Sequence, residues 1–113
     1  ISGTKDFVNF LDQKNIKKIN NIVIDDRLLF ASLNYAYYKK NFKFYSPHRP
    51  GNKIVHHFQL KNPLPENFSE NFILIGSLGS INYLKKNFEK KKIGSKSFPF
   101  SSYELELYEI KIK

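Results

Sequence analysis

The chain has 113 residues, 41% of them hydrophobic and 16% aromatic, and a net charge of +9. That length suits one domain, able to bury roughly two thirds of its unfolded surface without staples. There is no cysteine, which excludes disulfides, cysteine–zinc sites and thiol nucleophiles, and no apolar run approaches the ~18 residues that a membrane-spanning helix needs.

Thr4 caps a first predicted helix, with Asp6 in its first turn, where the macrodipole favours an acid. Phe7, Phe10 and Leu11 share one face, and Asn15 is its stop. These first residues are polar and helical, unlike the basic-then-apolar pattern of a secretory leader. Ile22-Val23-Ile24 reads as a buried strand. A second helix is expected from about Asp26 to Lys39, with Leu29, Leu33, Ala36 and Tyr37 on its apolar face. Phe42–Tyr45 reads as a short strand. The stretch SPHRPGN then breaks the pattern with two prolines and a glycine.

Ile54–Leu60 reads as a strand or an extended loop segment. Pro63 and Pro65 forbid a helix in the irregular KNPLPENFSEN that follows. Phe72–Ile75 is the clearest buried strand. GSLGS, residues 76–80, turns the chain into a third expected helix, with Ile81, Leu84 and Phe88 on one face and Lys90-Lys91-Lys92 at its end. Ile93–Phe98 and Tyr103–Ile112 close the chain as two strands joined near Pro99. The last strand has a phase slip: Tyr103, Leu105 and Leu107 share one parity, Tyr108, Ile110 and Ile112 the other. Either a bulge near Leu107–Tyr108 or burial on both faces would reconcile them. Alternating strands and helices predict the α/β class: a small Rossmann-like three-layer domain, residues 1–113, with a mainly parallel sheet and a C-terminal antiparallel hairpin.

Four places in the sequence carry candidate chemistry. Asp25 and Asp26 stand just past a predicted strand, where catalytic and metal-binding carboxylates often sit in open α/β sheets. Adjacent aspartates diverge, and a divalent cation needs oxygen ligands converging from several elements, so a helix cap or a local ion pair with Arg27 is the plainer reading. His56 and His57 project to opposite faces of an extended segment and would need His48 and an acid to hold a metal. GSLGS, between a strand and a helix, is either a plain turn or a weak anion-binding turn; it is neither GxGxxG nor a P-loop. The interleaved aromatics and lysines of residues 35–45 could stack bases, but at this spacing they suit a core. No catalytic, cofactor-binding or metal-ligating set emerges.

The charge is nearly all lysine; Arg27 and Arg49 are the only arginines. Arginine is the usual reader of bases and phosphates, and Lys, Asn and Ile have AT-rich codons, so a solvated lysine surface accounts for the charge. The chain starts at Ile1 and contains no methionine, so the expectation is a domain cut from the C-terminus of a longer protein.

One extended pattern resembles a known family. The stretch IVIDDRLLFASLNYAYY, a short strand, then NKIVHHFQLKNPLPENFSENFILIG is similar to the soluble C-terminal domain of bacterial family 39 glycosyltransferases. These are membrane enzymes related to protein O-mannosyltransferases and to the aminoarabinose transferase of lipid A. Asp26-Arg27, Leu33, Tyr37-Tyr38, His57-Phe58, Leu60, Pro63-Leu64 and Phe72–Ile75 stand where that pattern puts them, across roughly residues 20–76. The resemblance implies that Asp25, Asp26, Arg27, Tyr37, Tyr38 and His57 form a structural motif. It implies no cofactor and no catalytic residue here, because the family's catalytic acids lie in extracytoplasmic loops of the membrane part. The implied parent transfers a sugar from a polyprenyl-phosphate donor. Its domain would sit at the periplasmic or extracytoplasmic face of the inner membrane. The implied partners are the transmembrane part of the same chain, anionic lipid headgroups and a lipid-linked or protein acceptor, with no nucleic acid. The alternative reading is a small basic nucleic-acid-binding domain.

Overall fold

The computed structural model describes residues 19–26, 30, 42–54, 59, 61–97 and 104–113. Its centre is two apolar runs. NIVI forms β1 (Asn21–Ile24) and FILI forms β4 (Phe72–Ile75), and all eight residues are buried. Strands covered on both faces read as continuous apolar runs rather than alternating ones. They lie side by side in parallel, with Ile22 opposite Ile73 and Ile24 opposite Ile75. β2 (Lys43–Pro47) runs parallel along the other side of β1, and the two-residue β3 (Pro63–Leu64) runs parallel along β2. A proline cannot donate to a ladder, so it is tolerated on such an edge.

β5 (Phe88–Lys96) and β6 (Leu105–Ile112) form the antiparallel closing hairpin, and β6 docks antiparallel on β4. The sheet has six strands in the order β3-β2-β1-β4-β6-β5.

Strand alternation splits the core in two. Ile22, Ile24, Phe44, Ile73, Ile75, Leu105 and Leu107 pack on one face, together with Phe30 and Ile93. Val23, Phe72, Leu74, Tyr108 and Ile110 pack on the other, under Leu64, Phe68, Ile81, Tyr83 and Leu84.

The phase slip in β6 follows from this division. Its register against β4 is unbroken from Phe72–Ile110 to Ile75–Leu107, so Leu105 and Leu107 feed one cluster and Tyr108 and Ile110 the other. The register shift falls on the partner strand instead. Lys92 faces Tyr108 and Gly94 faces Leu107, which leaves Ile93 as the extra residue, with its side chain buried.

The expected α/β three-layer Rossmann-like class is not supported. The described residues are mostly β, in a mixed rather than mainly parallel sheet. The third expected helix is absent: after a 3-10 turn at Leu78–Ile81 the chain extends and enters β5 at Phe88. Gly79, Asn82 and Asn87 are poor helix formers, and a compact turn already buries Ile81 and Leu84. The lysines expected at a helix end lie on the edge strand β5, where charge discourages pairing with another chain. Gln59 and Lys61 have helical backbone, unlike the strand or extended loop expected up to residue 60. The first expected helix, the body of the second and the hairpin turn near Pro99 lie outside the described residues.

Candidate functional site

The strand order gives the sheet a topological switch point. From β1 the chain passes to β2 and β3 on one side, then returns to β4 on the other. In open parallel sheets ligands bind outside the carboxyl ends of the strands at such a point. Three strand ends converge here: β1 runs into Asp25, β2 into His48-Arg49, and β4 into Gly76-Ser77.

Asp25 is the hinge of this edge. Its N–H donates to the Ile75 carbonyl at 2.9 Å, extending the β1–β4 ladder by one bond, and Gly76 N–H donates to the Glu106 carbonyl at 2.9 Å. Gly76 has φ +131°, and a Cβ there would stand 2.7 Å from the Asp25 Cβ. Only glycine fits both the backbone angle and the space. The Ser77 backbone N–H is near enough to the Asp25 carboxylate to favour its charged form. Burial, and then the Asp26 charge, hold that carboxyl above the usual aspartate range, while the Ser77 N–H acts in the opposite sense.

The GSLGS turn spends part of its own donor capacity internally. Gly79 N–H bonds Ser77 Oγ at 3.2 Å, Ser80 N–H bonds the Ser77 carbonyl at 3.1 Å, and the Ser80 hydroxyl donates to that same carbonyl at 2.7 Å. With Gly76, Gly79 and Ser80 N–H engaged, the turn keeps few of the converging donors that an anion cradle needs.

The opposite wall comes from SPHRPGN. Pro50 and Gly51 occupy the centre of a turn closed by Asn52 N–H to the Arg49 carbonyl at 3.0 Å, and Gly51 has φ +87°. This matches a type II turn, with proline second and glycine third. His48 Nε2 lies 2.9 Å from the Asn52 carbonyl; a carbonyl only accepts, so Nε2 carries the proton. Tyr83 ties the wall to the sheet. Its hydroxyl donates to the Leu64 carbonyl at 2.6 Å and accepts from the His48 N–H at 3.2 Å. Burial pushes the Tyr83 phenol above its ordinary range, which keeps it a donor. Arg49 donates to Asn82 Oδ1 at 2.6 Å, with its guanidinium carbon 6.0 Å from the centre of the Tyr83 ring. Gln59 donates to the Pro47 carbonyl at 3.3 Å.

Between these walls lies a polar cleft of about 300 Å³, bordered by Asp25, His48, Arg49, Asn52, Asn82 and Tyr83. Asp25 also lines a second hollow of about 210 Å³ with Ser77, Glu104 and Glu106.

Of the residues singled out in the sequence, Asp25 reaches the cleft. The Asp26 carbonyl accepts from Phe30 N–H at 2.9 Å. Arg27, Tyr37, Tyr38, His56 and His57 lie outside the described residues. His48 enters the cleft wall, anchored by its ring to Asn52. No group of three His, Cys, Asp or Glu able to hold a metal occurs among the described residues. Sequence reasoning missed Arg49, Asn52, Asn82 and Tyr83. The usable signal was the Pro-Gly pair just past a predicted strand, which marks a fixed turn at a strand's carboxyl end.

No protein family, curated protein or solved structure matches the chain.

Proposed function

We propose that the chain is the extracytoplasmic C-terminal domain of a polyprenyl-phosphate-sugar-dependent membrane glycosyltransferase, and that its polar cleft shapes access for the acceptor. On this reading the domain is non-catalytic by itself and packs on the membrane part of its parent. The observation that carries the proposal is where the resembling segment falls. Residues 20–76 contain β1 to β4, and the cleft opens at the ends of β1, β2 and β4. What resembles the family is therefore the frame of a ligand-facing edge. A second observation agrees with docking at a membrane. Exposed Lys86, Lys90, Lys91 and Lys111 lie on or beside the β5–β6 hairpin, with exposed Glu89 among them, and a lysine near an anionic leaflet contributes about 1 kcal/mol.

The test is transfer by the parent enzyme with this domain deleted. Acceptor modification should fall while binding of the polyprenyl-phosphate donor persists. Unchanged transfer would end the acceptor-shaping role.

The same lysines favour a second reading, a nucleic-acid-binding domain. It requires binding that weakens steeply with salt, the slope counting the phosphates contacted. Unaltered DNA and RNA mobility at low salt would dismiss it.

A further inference from the structure

The cleft's chemistry narrows what it holds. One wall carries a carboxylate, Asp25, and the other a guanidinium, Arg49. An anion drawn to Arg49 would share the cleft with Asp25, and a cation drawn to Asp25 would share it with Arg49. Neither sign of charge is favoured overall. The anion reading loses further ground because three of the GSLGS backbone donors are taken, Gly76 N–H by the Glu106 carbonyl and Gly79 and Ser80 N–H within the turn.

Hydrogen-bonding capacity remains on both walls. Among the described residues, Arg49 uses one of its N–H donors, on Asn82. The Asn82 Nδ2 donors and the Asn52 side-chain amide take no bond that the described residues supply. The Asp25 carboxylate is an acceptor with lone pairs to spare. Both donors and acceptors therefore line a cleft of about 300 Å³, at the small end of the ~300–1,000 Å³ usual for small-molecule sites.

A hydroxyl both donates and accepts. A ring carrying several hydroxyls can bridge Asp25 to Arg49, Asn52 and Asn82 without bringing a charge of its own. We infer that the cleft at the β1–β4 switch point is a subsite for a neutral polyhydroxylated ligand the size of one sugar ring. The inference deepens the acceptor-facing reading and rests on it only for the source of such a ligand.

The test is an NMR titration of the isotope-labelled chain with neutral hexoses, with inorganic phosphate and glucosamine as the charged comparisons. A neutral hexose should move the amide signals of Asp25, Asn52 and Asn82 saturably, and the charged probes should bind more weakly. Asn52→Ala, which removes a hydrogen-bonding partner, and Asp25→Asn, which replaces a charged acceptor by a weaker neutral one, should each weaken the hexose by about tenfold. Asn52 lies on an exposed turn, so its variant keeps the test open if Asp25→Asn does not fold. Preference for phosphate or glucosamine, hexose shifts unaltered in the folded variants, or no saturable shift with any hexose would overturn the inference. Those results leave the deletion experiment on the parent untouched. Hexose binding with unimpaired transfer by the deleted parent would instead remove the acceptor role and keep the subsite.

Discussion

Asp25 carries an ionisable group to the point where the β1–β4 ladder ends, and its protonation is therefore linked to folding. The carboxyl is held above the ordinary aspartate value of 3.8 by burial and by Asp26. The folded state thus keeps the proton more tightly than the unfolded chain. The stability this gives is fully present below the unfolded value and is lost as pH rises through the raised folded one. Asp25→Asn should remove that pH-dependent loss, so that urea unfolding at successive pH values shows a shallower fall in the variant and no loss of stability at neutral pH. Parallel stability–pH curves would refute the linkage. Gly76 is the companion of Asp25. Gly76→Ala places a methyl against the Asp25 Cβ at a positive φ, and thermal unfolding should show a loss of ~1–3 kcal/mol or more. An unshifted melting temperature would mean that the two residues do not meet as described.

Among the elements, β5 has the plainest physical assignment. It pairs with β6 alone and closes the sheet on that side. Lys90 and Lys91 are exposed on it, and Lys92 pairs with Glu106 across the hairpin at 2.7 Å. Charge on an edge strand discourages strand addition by another chain. The double variant Lys90→Thr, Lys91→Val should associate increasingly with concentration in analytical ultracentrifugation, while the parent sequence does not. Matching sedimentation of the two would show that something other than lysine protects the edge. The apolar runs Ile22–Ile24 of β1 and Phe72–Ile75 of β4 were legible as strands, because burial on both faces favours unbroken apolar sequence, with Asn21 the buried polar residue at the start of β1. β5 was not. Ile81, Leu84 and Phe88 have helical spacing, yet that spacing served a 3-10 turn followed by an extended segment, and lysine clusters suit helix ends and sheet edges alike.

For the whole molecule, the decisive feature is strand order. Local periodicity marks strands but does not say which neighbour each one takes. Asp25 was legible as a residue past a strand end. Arg49, Asn52, Asn82 and Tyr83 were not legible as its companions, because only the return of the chain from β3 to β4 across β1 brings their loops to the same edge. The phase slip in β6 was readable, but whether a bulge or two-sided burial resolved it depended on β4 and β5. The cleft is thus a product of topology, and its polar lining underlies the reading of an acceptor-facing domain. That reading is tested most directly by fractionating the source cells and probing with an antibody raised against this chain. A band much heavier than 13.3 kDa should appear in the membrane pellet, released by detergent but not by salt. A small band in the soluble fraction would contradict that reading.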